Sequence, residues 1–383
     1  MMKRMCMLGC ALTLGGLFVQ VQAAPAGQDG ASALVTKAED LGPAMGATGE
    51  GQSAEDAVQA NLAKLGVGVG YIRKMQAIIA IGTAEVLVKD PANEKDFMLI
   101  RSAKANEAYL DAKAKVIQAI YTELSAEDRL AVAGEFVDAE AEGGKKPAAS
   151  AEPTTTQEST VKLLSKMPLL GSSVLTQAES WDAEGQVYSV SMAIVWSPKM
   201  QESALAQLSN GASVSMAKGH FTPQEWAARQ SPATMIGPRR FTDSEGNNIF
   251  VGIAAVDLTG KVKDRGWKKK SADLWASRAV AFSLAGDLET YAEASRNLKE
   301  YDDDKRTGTE KLASATAQKC EVALQGCTQL RSFTGKHPIS GRTIYVSMFY
   351  CDPVLAKDAG ALQKKAYEGA LRQAAMKKKS GSR

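Results

Sequence analysis

Two stretches decide the fold: IIAIGTAEV at residues 78–86 and FVGIAAVDL at residues 250–258. Each opens on bulky apolar side chains, carries an isoleucine at its fourth position (Ile81, Ile253) and sets an acid at its eighth (Glu85, Asp257). A short apolar run rich in β-branched residues reads as a buried strand. After each, apolar side chains recur at three-, four- and seven-residue steps: Ile100, Ala103, Leu110, Ala114, Ile117 and Tyr121 in the first, and Leu274, Ala281, Leu284, Leu288 and Tyr291 in the second. That is the period of an amphipathic helix, which buries one face against a sheet.

Farther along, TQAESWDAEGQVYSVSMAIVWSP (Thr176 to Pro198) resembles TQLRSFTGKHPISGRTIYVSMFYCDP (Thr328 to Pro353). Both are an extended run, a polar turn with glycine, and a second β-rich run ending at proline, the pattern of a β-hairpin. Each second run contains Val-Ser-Met, at Val190 and at Val346. Strand, helix and hairpin are thus written twice, with Ile81 expected to match Ile253 and Val190 to match Val346. The interval between strand and hairpin is 20 residues longer in the first copy, about the length of the segment 139–160, which lacks aromatic and large aliphatic residues. An insertion accounts for the difference. The expected fold is α+β: two tandem strand–helix–hairpin modules, each a small antiparallel sheet covered by a long helix, spanning 54–210 and 222–377. Thr222-Pro223-Gln224-Glu225 has the residues of a capping box with proline at the first helical position, so a short helix carrying Trp226 opens the second half.

The chain begins with Lys3 and Arg4, continues through an uncharged run from Met5 to Val19, and reaches Val21-Gln22-Ala23. This predicts a secretory signal peptide over 1–23, cleaved after Ala23, and a periplasmic or secreted location. Lipid anchoring at Cys10 is disfavoured, because the apolar core before it would be only Met5 to Gly9. No later segment has the roughly 20 apolar residues of a membrane span. Residues 24–53 hold six glycines and few large apolar side chains, and read as a flexible tether. Residues 378–383 read as a frayed tail.

GTAEV (82–86), the helix RSAKANEAYLDAKAKVIQAI (101–120) and GQVYSVSM (185–192) resemble the small domains of the LPP-twenty type outer-membrane lipoproteins, and are similar to the N-terminal domain of the flagellar-assembly T protein. The resemblance covers roughly Gln76 to Pro198, and more weakly Phe250 to Pro353. It implies helices packed on a short antiparallel sheet, and no catalysis.

Composition narrows the chemistry. Of 383 residues, 46 are Lys or Arg and 43 Asp or Glu, a formal charge of +3 and too little for a dedicated nucleic-acid binder. Two histidines and five cysteines exclude Cys/His zinc clusters, and no cofactor motif is present. Gly66, Gly68 and Gly70 precede a strand rather than a helix start, so they form no phosphate loop. Ser215 and Lys218 have the Ser-x-x-Lys spacing of penicillin-binding enzymes, but the companion motifs are missing. Asp302, Asp303 and Asp304 lack the alternating spacing of a calcium loop and read as a solvated turn. His220 and His337 read as surface or capping residues. Trp181 and Trp196 read as core or cross-strand partners.

Two features remain as candidate sites. Lys261, Lys263, Arg265, Lys268, Lys269 and Lys270 surround Trp267 in the loop entering the second long helix, a basic patch suited to anionic headgroups, polyanionic envelope glycans or an acidic partner. The alternative is a solvated loop with Trp267 packed inward. The mature cysteines are Cys320, Cys327 and Cys351; with the hairpin turn near His337 to Gly341, antiparallel pairing sets Cys327 opposite Cys351 and predicts a disulfide between them. Cys320 with either one is the open alternative. The function expected is that of an exported, non-enzymatic envelope protein with an interaction or structural role, its partners being other envelope proteins or the glycan and lipid surface. A periplasmic ligand-binding module using the cleft between copies is the alternative, and a hydrolase with an unrecognised site a weaker one.

Overall fold

The structure is a computed structural model that describes residues 30–42, 52–122, 171–200, 203, 218–285 and 327–351. The leader, the insertion 139–160, Cys320 and the tail lie outside the described residues.

Two four-stranded antiparallel sheets organise the α+β fold. The first contains β1 (Gly70–Ile72), β2 (Ala77–Leu87), β3 (Ser173–Asp182) and β4 (Val187–Trp196) in the order β1-β2-β4-β3. The second contains β5 (Gly237–Thr242), β6 (Asn248–Asp257), β7 (Cys327–Lys336) and β8 (Thr343–Cys351) in the same order, β5-β6-β8-β7. Between the paired hairpins of each module runs a long helix, α3 (Phe97–Thr122) in the first and, numbering on, α5 (Arg265–Ala285) in the second. Helices α1 (Gly30–Leu41) and α2 (Ala54–Leu65) precede the first sheet, and α4 (Pro223–Arg229) precedes the second. The strand, helix and hairpin of each half are therefore where the sequence places them, with one edge strand added per sheet.

A glycine sets the distance between each sheet and its helix. A Cβ on Gly82 would lie 1.9 Å from the carbonyl oxygen of Ala108 and 2.3 Å from the nitrogen of Ala112. A Cβ on Gly252 would lie 1.9 Å from the oxygen of Ala276 and 2.5 Å from the nitrogen of Val280. Only a side chain of hydrogen permits so close an approach of two backbones. The helix face pressed on the sheet must then be small, and it is Ala105, Ala108, Ala112 and Val116 in α3 and Ala272, Ala276 and Val280 in α5, all buried. This corrects the expected stripes. Ile100, Leu110 and Ile117 are half-buried on the flank, Ala114 is exposed, and Leu274 stands 45% exposed.

The repeat is real in topology and displaced in register. Val190 pairs with Ala84, two residues from Gly82, so Val190 and Met192 face α3. Val346 pairs with Ala255, three residues from Gly252, so Val346 and Met348 face away from α5. The shared tripeptide thus presents opposite faces in the two modules, and Val190 does not match Val346. Ile81 and Ile253 do share a face, but the equivalent positions are the glycines, which shifts that match by two residues. Both faces of these sheets are covered, so period-two alternation carries no mark of which face is which.

A single core crosses the modules. Ile249, Val251, Ile253, Ile344, Val346 and Met348 on the second sheet belong to one buried cluster with α3, α2 and the first sheet. Helix α1 belongs to it too, through Ala31, Leu34, Val35 and Ala38. Residues 30–41 are accordingly no tether. Alanine at positions 31 and 38 completes an i, i+3, i+4, i+7 stripe that a count of large apolar residues overlooks. Helix α4 has the capping box expected of it, Thr222 accepting from the Glu225 amide and Glu225 accepting from that of Thr222, and it buries Trp226. Trp196 is buried and pairs with Ile78, while Trp181 is half-buried and donates from Nε1 to the Val88 carbonyl at 2.9 Å.

Candidate functional site

The basic patch is built on a helix start. A 3-10 turn, Val262–Asp264, leads directly into α5, whose first six residues are Arg-Gly-Trp-Lys-Lys-Lys. Arg265, Trp267, Lys268, Lys269 and Lys270 are therefore helical and only Lys261 and Lys263 precede the helix, which corrects the loop expected here. Trp267 is 59% exposed and Val262 is 74% exposed, so the inward-packed tryptophan is not found. Lys261, Lys263, Arg265, Lys269 and Lys270 are exposed around them. Lys268 donates to the Thr259 carbonyl at 2.9 Å and Lys269 stands 5.1 Å from the centre of the Tyr345 ring. Cations oppose the positive end of a helix dipole, so the helix gains nothing from this cluster at its own N-terminus. The charges and the exposed ring are available to a partner.

A second cluster joins the modules and was not among the sites expected from the sequence. Glu179 of β3 accepts from Arg101 Nε at 3.0 and 2.8 Å and from Arg101 Nη2, from the Tyr188 hydroxyl at 2.7 Å, and from His337 Nε2 at 3.3 Å. Arg101 comes from α3, Tyr188 from β4 and His337 from the β7–β8 turn, so the carboxylate gathers three elements of the first module and one of the second. The ring of Phe97 covers the group edge-on, 5.0 Å from Tyr188 and 5.5 Å from His337.

His337 is 1% exposed, which corrects the surface role expected of it. The hairpin turn that carries it is pressed into the first module. Burial would raise the Glu179 carboxyl, but the Arg101 charge and the hydrogen bonds from His337 and Arg101 outweigh it and hold the group well below the usual carboxylate range. Burial holds His337 below its ordinary value, Glu179 acting the other way. Its neutral ring fits the contacts: Nε2 donates to Glu179, and Nδ1 accepts from the Ser340 amide at 3.3 Å. Tyr188 is pushed up by burial and by Glu179. These groups are sealed from solvent, so the cluster acts as a fastening between modules. A lone arginine on the alanine face of a helix, in register with Ala105, Ala108 and Ala112, was the sequence signal for it.

Cys327 and Cys351 stand directly opposite one another in the β7–β8 register, as their positions required. The two groups are present as thiols, in hydrogen-bond contact, and that contact together with burial raises the Cys327 thiol far above its ordinary value. His220 lies on the surface with Nδ1 2.9 Å from Asp40 Oδ1. Lys218 is exposed, while Ser215 and Asp302 to Asp304 lie outside the described residues. Among the described residues no three His, Cys, Asp or Glu side chains are grouped to hold a metal ion, and no helix is long and apolar enough to cross a membrane.

No protein-family model matches the chain, and no curated protein matches it. Among solved structures, the hypothetical protein FTT1539c from Francisella tularensis is similar at a TM-score of 0.49 and 15% identity, over 85% of this chain and 99% of that one.

Proposed function

We propose that this protein is an exported, non-enzymatic component of a cell envelope that docks on an anionic lipid surface through the start of α5. The observation that carries the reading is Trp267, 59% exposed in a segment with five exposed Lys and Arg side chains, with Val262 in the turn before the helix at 74% exposure. Tryptophan and lysine together suit the water–lipid boundary, where the ring sits at headgroup level and the ammonium groups meet phosphate. Each basic residue contributes about 1 kcal/mol near an anionic surface. An exposed valine adds apolar area that acyl chains reward more than a hydrated glycan does, which favours lipid. The charged start, apolar run and small residues up to Ala23 support export, as does the likeness to envelope domains.

Cosedimentation of the mature protein with vesicles tests the reading. Vesicles containing phosphatidylglycerol should retain it and pure phosphatidylcholine vesicles should not, with Trp267→Ser and the triple change of Lys268, Lys269 and Lys270 to Glu each weakening retention. Equal behaviour on both vesicles, or preferential binding to a soluble acidic polysaccharide, overturns the lipid assignment.

A further inference from the structure

Helix α1 carries an acid where its pattern calls for an apolar side chain. Ala31, Leu34, Val35 and Ala38 turn toward the core, and Glu39, one turn beyond Val35, is buried with them. It stands over β3, α4, the turn 232–234 and β5, in a space bordered by Val174, Leu175, Trp226 and Met235. Glu39 is 9% exposed, and both of its carboxylate oxygens are buried without a hydrogen-bond partner.

The charged groups around Glu39 leave it uncompensated. On its own helix Asp40 has the same sign, and Lys37 Nζ donates to the Leu65 carbonyl at 2.8 Å. From the α4 side, His220 Nδ1 lies 2.9 Å from Asp40 Oδ1, and Arg229 Nη2 donates to the Asp40 carbonyl at 3.5 Å. Arg239 of β5 is held by the carbonyls of Ile236 and Pro238 and by Gln177 Oε1. Its neighbour Arg240 is held by the Gly171 carbonyl and by Asn248 Oδ1. β3 and the turn 232–234 bring only uncharged groups to this space. Burial first and Asp40 second accordingly push the Glu39 carboxyl well above its usual range.

A neutral carboxyl tolerates such a place far better than a carboxylate does. As pH rises, the chain has two responses: to keep the proton, or to withdraw Glu39 into water. Withdrawal need only be local. Helix α1 has 12 residues, its inner face is half alanine, and its links to His220 and Arg229 are exposed ones that hold weakly. Both sheets and their long helices pack on one another without it. So short a helix does not persist alone in water, which makes undocking and unwinding one event.

We propose that α1 is a proton-held strap: docked and helical while Glu39 carries its proton, released and unwound as Glu39 ionises, so that release uncovers Trp226 and the apolar surface of Val174, Leu175 and Met235. The docked state holds one proton that the released state has lost. The released fraction therefore rises about tenfold per pH unit from the ordinary carboxyl value of 4.5 up to the docked value, and levels off above it. Trp226 reports the event, being 3% exposed while the strap is docked, with its ring stacked on Phe241 at 4.7 Å. The device is independent of the α5 patch, and it works in the opposite direction of pH from His337.

Hydrogen exchange of the full mature chain, read by mass spectrometry and corrected for the intrinsic pH dependence of exchange, tests the strap. Peptides within 31–41 should lose protection about tenfold or more between about pH 5.5 and about pH 8, while peptides of α3 keep theirs. Glu39→Leu, which sets an apolar side chain on the inward face, should keep 31–41 protected across the range. Glu39→Gln should likewise remove the pH dependence. Quenching of tryptophan fluorescence by acrylamide should grow over the same range in the parent and not in Trp226→Phe. If a Glu39 variant fails to fold, the parent's 31–41 profile set against that of α3 decides alone. Protection of 31–41 that does not change with pH, that is absent even at the lowest pH, or that is lost together with that of α3 overturns the proposal, as does a folded Glu39→Leu that follows the parent.

Discussion

Arg101 of α3 and Glu179 of β3 form a two-pronged ion pair at 0% and 6% side-chain exposure, and the same carboxylate takes Tyr188 and, from the other module, His337. Removing the acid alone would strand a buried guanidinium and a buried hydroxyl. Glu179→Leu should therefore lose about 3–5 kcal/mol in equilibrium urea denaturation, whereas the double change Arg101→Met with Glu179→Leu should recover a good part of it. A single variant as stable as the parent would show that Glu179 is not what fastens the modules.

Acid should loosen the same fastening in two steps. His337 has a folded pKa below its ordinary 6.5, so the unfolded chain binds the extra proton, and stability falls as pH drops below that value. Glu179 is depressed below 4.5, so its contribution is complete above that pH and is lost as pH falls further. Glu39 acts in the opposite sense: its raised pKa means the folded chain holds a proton that the unfolded chain releases, and stability declines as pH climbs from 4.5 through the folded value. Denaturation across pH should show His337→Gln flattening the decline below 6.5. Glu39→Gln should gain stability near neutrality, and the gain should vanish toward pH 4.5.

The two glycines can be tested as a pair. A Cβ at Gly82 or at Gly252 would come within 1.9 Å of a helix carbonyl, and both obstacles are backbone rather than a side chain free to turn aside. Gly82→Ala and Gly252→Ala should each cost about 1–3 kcal/mol, the usual range for overfilling a packed interior. Gly68→Ala, where the added carbon meets nothing within 4 Å, is the control and should stay near the parent.

Those glycines also mark where sequence reading succeeded and where it slipped. Strands β2, β3, β4, β6, β7 and β8 were legible because their extended runs end in plain turn signals. The helices were legible in position but not in facing, since Gly82 and Gly252 admit a stripe of alanines and push Ile100, Leu110 and Leu274 to the side. Helix α1 was missed for the same reason, its inner face being half alanine. The basic patch was legible as a run of like charge. Glu179, His337 and Glu39 were not, because decisive contacts on them come from far along the chain, Arg101 lying 78 positions from Glu179 and His337 in the other module. The distance of such contacts in sequence leaves no local trace.

Cys327 and Cys351 make the last prediction. They face one another across β7 and β8, with Cys351 also paired to Phe250 on its other side, so the pair closes the end of the second hairpin against the sheet centre. In an oxidising compartment the thiols should join, and closing that loop should stabilise the module by about 3 kcal/mol on the chain-entropy estimate. Burial and the mutual hydrogen bond that raise the Cys327 thiol oppose thiolate formation, so oxidation should be slow without a catalyst and should quicken when the hairpin end opens. Peptide mapping under non-reducing conditions should find Cys327 linked to Cys351 in protein recovered from an oxidising compartment, with Cys320 unbridged. Cys351→Ser should abolish the difference in Tm between oxidised and reduced samples. Mapping that joins either cysteine to Cys320, or a Tm indifferent to reductant in bridged protein, would show that the facing pair does not staple the hairpin.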